Sequence, residues 1–277
     1  MAQLSDAAFA PWLTRWRLVA DGEAFVTPHS ESRLLPVLRD GAPAMLKIAS
    51  APEEVAGGAL MEWWAGDGAA RVLAREGGAL LLERAAGTRS LADMARSGQD
   101  DAASRILCGA LARLHAPRAT PPPASLVPLE RWFRALTPAA ANRGGVLAQS
   151  LAASRALLAE PREAAVLHGD LHHANVLDGG ARGWLAIDPK GLIGERGFDH
   201  ANILCNPDAK TALAPGRLAA QAAVISEAAD LEPRRLLAWI LAYAGLSAAW
   251  TIGEGRFDPA PALAIAALAA AELDWPP

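Results

Sequence analysis

Between residues 17 and 49, short apolar runs alternate with turn residues: 17–20 before Asp21-Gly22, 33–38 before Arg39-Asp40-Gly41, then 44–48. An Asp-Gly pair between apolar runs is a hairpin signal, so the pattern predicts three antiparallel strands. Pro52 with Glu53-Glu54 suits the first turn of a helix, which the apolar spacing carries to Trp64. Two more strands are expected over 70–74 and 79–83, turning at Gly77-Gly78. After Gly87, leucines and alanines recur at helical intervals over 90–95 and 101–115. The proline-rich stretch 117–123 is a stiff extended connection. Further on, 164–167 and 184–187 read as strands around a polar loop, and 234–249 and 259–273 as two closing helices. The expected fold class is α+β in two lobes, 1–86 mainly antiparallel β with one helix and 87–277 mainly helical.

Composition narrows the class. With 52% hydrophobic and 20% charged residues, the 277-residue chain can bury a sizeable core. The chain is expected to hold no stretch of about 18 uncharged apolar residues, and so no membrane span. The opening residues 1–16 carry Asp6 and lack a basic segment ahead of an apolar one, so the expected compartment is the cytoplasm. Cys108 and Cys205 stand far apart without partners at metal-ligand spacing and read as buried thiols. A net charge of -4 with scattered Lys and Arg gives no footprint for nucleic acid and suits a cationic small ligand.

Chemistry concentrates in Leu167-His168-Gly169-Asp170-Leu171-His172-His173-Ala174-Asn175, followed by Ile187-Asp188-Pro189. Asp170 and Asn175 are five apart, as the acid and asparagine are in the kinase loop H-R-D-L-x-x-x-N, and a strand-borne acid follows. Phosphoryl transfer needs this division: one carboxylate reaches the attacking hydroxyl, while an amide oxygen and a second carboxylate hold magnesium against the nucleotide. The same residues admit a second reading, a metal hydrolase built on His168, Asp170, His172, His173 and Asp188. A third is a degenerate kinase fold that only binds.

The segment resembles the aminoglycoside phosphotransferase family, whose loop has the form H-G-D-x-x-x-x-N and whose metal acid sits in I-D. The resemblance implies a protein-kinase-like fold, ATP and Mg2+ as cofactors, Asp170 as catalytic base, Asn175 and Asp188 as metal ligands, and His168 as a brace. Lys47, in Ala44-Met45-Leu46-Lys47-Ile48, stands where the phosphate-contacting strand lysine does. Its helix partner is expected to be Glu54, with Glu53 and Glu62 as alternatives, although Gly57-Gly58 interrupts that helix. No G-x-G-x-x-G loop is present; Ser30 and Ser32 are the candidates to hold phosphate oxygens instead. The backbone of Glu83 and Ala85 falls where the family meets adenine.

Further stretches, among them Gly183-Trp184-Leu185-Ala186-Ile187-Asp188-Pro189 and Gly197-Phe198-Asp199-His200-Ala201-Asn202, are similar to the streptomycin 6-kinase branch, the aminoglycoside and hydroxyurea resistance kinases. That branch implies an acceptor ring bearing two guanidinium groups, which carboxylates pair bidentately. Glu195, Asp199 and Glu254 are candidates, with Trp250 as an apolar or cation-π wall. Asp199 has a competing role as a helix cap bracing the loop. The acceptor pocket is the variable part of such a fold, so another small alcohol or amine is the alternative acceptor.

Overall fold

The computed structural model describes residues 6–27, 32–49, 51–255 and 257–275. Helix α1 (Ala10–Arg15) precedes strands β1 (Leu18–Ala20), β2 (Phe25–Val26), β3 (Arg33–Arg39) and β4 (Ala42–Ile48). Helix α2 (Pro52–Trp64) then leads to β5 (Val72–Glu76) and β6 (Ala79–Glu83). These strands form one antiparallel sheet in the order β1-β3-β4-β6-β5, with β2 also paired to β3. The β3–β4 turn is Asp40-Gly41, both at positive φ (50° and 79°), with Arg39 facing Ala42. Such a two-residue turn matches the twist of the strands, which is why Asp-Gly marks it in the sequence.

Side-chain alternation along β4 decides where Lys47 goes. Ala44 and Leu46 are fully buried in a cluster with Phe9, Leu35, Val37 and Leu81. Lys47, one residue on, therefore points to the opposite face. On α2, Gly57 and Gly58 each cost roughly 1 kcal/mol relative to alanine. Burial of Leu60, Met61 and Trp64 contributes about 1.5–3 kcal/mol apiece, so packing outweighs the propensity loss.

The rest is mostly helical. Helices α3 (Leu91–Arg96) and α4 (Asp100–His115) are followed by β7 (Val127–Pro128), α5 (Leu129–Trp132), α6 (Leu136–Arg143) and α7 (Gly145–Ala159). Strands β8 (Ala164–Leu167), β9 (Val176–Asp178), β10 (Trp184–Ala186) and β11 (Leu192–Glu195) come next. The chain closes with α8 (Gly197–Leu204), α9 (Ala209–Ala212), α10 (Arg217–Ala229), α11 (Pro233–Glu254) and α12 (Ala260–Glu272). β8 and β11 pair antiparallel, Leu167 facing Leu192 and Ala164 facing Glu195, while β9 and β10 form a hairpin. The polar loop 168–175 is thus held between two small sheets.

One expectation needs correction. An uncharged stretch does occur at 236–253, inside α11, and by length and composition it could cross a membrane. Its most apolar window is 67% buried against the protein, and α11 packs on α7, α8 and α12. It is a core helix, whose apolar surface is already covered.

Candidate active site

The loop after β8 is anchored from beneath. Asp199, in the first turn of α8, accepts hydrogen bonds from the backbone amides of His168 (2.8 Å) and Gly169 (2.7 Å), and lies 2.8 Å from His115 Nε2. Burial raises the pKa of this carboxyl, but the bond and charge of His115, the charge of His168 and the Gly169 amide outweigh it and hold it below the usual range. His168 is fully buried, and burial pushes its pKa down. Its Nε2 lies 2.8 Å from the Ile187 carbonyl and its Nδ1 accepts from the Asp170 amide at 3.2 Å. A neutral ring protonated on Nε2 satisfies both contacts, so His168 ties the loop to the exit of β10. Trp64 of α2 stacks on it, centroids 6.1 Å apart.

Asp170 is then set from two sides. The Asn175 side-chain nitrogen donates to the Asp170 carbonyl (2.8 Å) and stands 3.5 Å from its Oδ2. Asn202 of α8 donates to Oδ1 at 3.1 Å and is itself held by Asn206. Lys190 Nζ lies 4.0 Å from Asp170 Oδ2 and 3.8 Å from Asp188 Oδ2, and His172 Nε2 lies 4.0 Å from Asp170 Oδ1.

The sheet brings the remaining charges to the same place. Lys47 is ion-paired with Glu54 at 3.1 Å and also with Asp188, and Ser32 donates to Glu54. Glu62, the other candidate partner, pairs instead with Arg75 at 2.7 Å. Burial raises the pKa of Asp188, but Lys47 and Lys190 outweigh it and keep the group below its usual value. The helix runs unbroken through its glycine pair, and Gly57 has a reason to be there: a Cβ would fall onto the Pro189 carbonyl oxygen. The missing side chain lets α2 press against the Asp188-Pro189 turn, which brings Glu54 to Lys47.

The other expected residues divide. Ser30 lies outside the described residues. The Ser32 hydroxyl is turned to Glu54 and the residue is 2% exposed, which corrects its assignment as a phosphate clasp. The Glu83 amide donates to the Arg71 carbonyl at 2.9 Å, and its side chain meets Arg182. Of the backbone groups expected to meet adenine, the Glu83 donor is thus already committed within the sheet. Glu195 is also corrected as an acceptor ligand. It is buried, both oxygens are taken by Arg235 and Trp239 and by the Arg162 amide, and it faces Ala164 at the end of β8 remote from His168. For Asp199 the structure favours the competing role over that of acceptor ligand: both of its oxygens brace the loop. Glu254 is exposed at the end of α11. Trp250 meets Trp132 (5.5 Å) and Tyr243 (6.5 Å), and burial followed by the charge of Asp170 raises the Tyr243 pKa, so this aromatic run approaches the loop.

No group of three or more His, Cys, Asp or Glu positioned to hold a metal occurs among the described residues. His168 is committed to the backbone, and His173 is buried with both ring nitrogens unpaired. The hydrolase reading therefore loses its cluster. Sequence reasoning missed Asn202 and Lys190. Asn202 follows Asp199 by three residues, which places both on one face of α8, and Lys190 follows Asp188 by two.

A family model described as aminoglycoside/hydroxyurea antibiotic resistance kinase matches residues 15–255. The chain is 54% identical over 270 residues to a streptomycin 3''-kinase of Klebsiella pneumoniae, covering 95% of this chain and 100% of that one. It is 33% identical to a streptomycin 6-kinase of Streptomyces griseus, covering 92% and 85%. An aminoglycoside phosphotransferase solved with ADP and hygromycin B superposes with a TM-score of 0.68 at 15% identity, covering 96% and 98%, which shows the shared fold.

Proposed function

The chain belongs to the aminoglycoside/hydroxyurea antibiotic resistance kinases, and from that premise we propose that it transfers the γ-phosphate of ATP to the 3''-hydroxyl of streptomycin. As a family member it is a small-molecule kinase with an alcohol group as acceptor. The observation that supports the reading most is the convergence of Asp170, Asn175, Asp188 and the Lys47–Glu54 pair on one loop, in a chain 54% identical to a streptomycin 3''-kinase. The doubly primed position lies on a sugar ring other than the one carrying the guanidinium groups. Carboxylates that pair those groups would therefore hold the acceptor from a distance and would not lie beside its nucleophile.

In this reading Asp170 accepts the proton of the attacking hydroxyl, with Asn202 holding its Oδ1 and Asn175 its backbone carbonyl. Lys47, aimed by Glu54, contacts the α- and β-phosphates. The residues fit magnesium: the Asn175 nitrogen is used by Asp170, leaving its amide oxygen, and Asp188 is kept ionised. One carboxylate and one amide oxygen are the sparse, hard donor set that magnesium takes beside substrate phosphates. Bound there, the ion would neutralise charge between the β- and γ-phosphates. The lobe boundary near residue 86 and action in the cytoplasm, where ATP is made, belong to the same proposal.

The test is streptomycin-dependent ATP consumption, with the position of the new phosphate read by 31P–1H correlation. Phosphate on the 3''-hydroxyl is expected. Phosphate on hydroxyl 6 overturns the position, and turnover only with other alcohols overturns the acceptor.

A further inference from the structure

Lys190 is not used by the roles above, yet its ammonium stands between the two carboxylates that phosphoryl transfer must join. It is 4.0 Å from Asp170, the base for the acceptor, and 3.8 Å from Asp188, on the nucleotide side. Both separations exceed the 2.7–3.2 Å of a made N–H···O bond, so the cation is placed but not consumed. Lys47 differs: its ammonium is clasped between Glu54 and Asp188.

The Lys190 backbone is fixed. Its amide donates to the His168 carbonyl at 2.7 Å, Pro189 precedes it, and Asp188 and Gly191 on either side both adopt positive φ (63° and 69°). The Lys190 side chain is 18% exposed, so its field is less screened than that of a surface lysine.

We infer that Lys190 is a catalytic residue, the cation that neutralises the phosphoryl group as it passes from nucleotide to acceptor. In the transfer, the acceptor oxygen forms a bond to the γ-phosphorus while the bond from that phosphorus to the β–γ bridging oxygen breaks. ADP leaves with the bonding pair, and the acceptor proton passes to Asp170. Negative charge spreads over the equatorial oxygens of the moving group. Asp170 loses its own charge as it takes the proton, which releases its pull on Lys190 and leaves that ammonium to the phosphoryl oxygens. An interaction that strengthens only during transfer lowers the barrier without tightening ground-state binding.

The inference rests on the kinase reading, not on streptomycin as acceptor. The experiment compares Lys190→Met, which keeps the stem and removes the charge, with Lys190→Arg. Turnover is measured with the best acceptor of the wild type and, separately, with water as the acceptor of the ATP phosphate. Lys190→Met should lose about 10²–10³-fold in kcat, with the KM for ATP changed less than about threefold. ATP hydrolysis should fall by a similar factor, and Lys190→Arg should recover at least about tenfold. A Lys190→Met enzyme with kcat within about threefold of wild type, or one whose loss lies wholly in the KM for ATP, overturns the inference. Wild-type silence toward streptomycin alone overturns only the acceptor, because the water reaction still reads Lys190.

Discussion

Asp170, the proposed base, shows how much of such a residue's placement lies outside itself. Its backbone amide bonds His168 Nδ1, its carbonyl takes Asn175, and its Oδ1 takes Asn202 from α8. Removing the carboxylate as Asp170→Asn should lower kcat by about 10²–10⁴-fold, the range of a positioned base, while Mg-ATP binding measured by calorimetry stays within about threefold. Asn202→Ala should act through Asp170 and cost less, roughly tenfold in kcat with little change in KM. Full activity in Asp170→Asn would remove that residue from the chemistry. An Asn202→Ala enzyme with raised KM and unchanged kcat would make Asn202 an acceptor ligand instead. Glu195 teaches the converse: an acid in a stretch shared with a kinase family can be wholly occupied by Arg235, Trp239 and Arg162.

At the scale of the element, α2 reads from sequence as a weakened helix, and the structure gives the weakness a purpose. Gly57 faces the Pro189 carbonyl, so the helix carrying Glu54 and the turn carrying Asp188 meet without an intervening side chain. Alanine improves intrinsic helix propensity by about 1 kcal/mol, yet Gly57→Ala should destabilise the protein by about 1–3 kcal/mol through overpacking and weaken nucleotide binding. Gly109, inside α4, meets nothing within 4 Å, so Gly109→Ala should stabilise by about 0.4–1 kcal/mol. Denaturant midpoints of the pair separate the two terms: a stabilised Gly57→Ala would show that no close approach exists there. The Asp-Gly turn of β3–β4, Pro52 and the two closing helices were all legible beforehand because each is a local property. The short β2 and β7 were not, since two-residue strands carry no periodicity and exist only by pairing with β3 and β11.

Across the whole molecule, buried histidines tie stability to pH. Burial lowers the pKa of His168, and pushes His173 and His200 down to about 3. In the unfolded chain these rings take up protons near pH ~6.5; folded, His173 and His200 stay neutral until about pH 3. The unfolded state therefore binds more protons across that window, and stability falls as pH drops through it, by up to about 1.4 kcal/mol per pH unit for each group. Asp199 and Asp188, with lowered values, add losses once pH falls through the carboxylate range. The guanidinium midpoint should decline steadily from pH 7 to pH 5; a flat profile would mean that the buried rings take up protons without cost.

By itself the sequence determined the α+β order, the polar loop with Asp170 and Asn175, the acid Asp188 that follows it, and Lys47 in its strand. These features are fixed by short spacings, and covalent geometry carries a short spacing into space almost unchanged. Only the tertiary structure decided which of Glu53, Glu54 and Glu62 meets Lys47, that Asp199 and Glu195 are occupied by His115 and Arg235, and that Asn202 and Lys190 flank Asp170. Those outcomes depend on contacts between residues far apart in the chain, where the choice among like-charged side chains is made by packing and burial, and no local pattern records it.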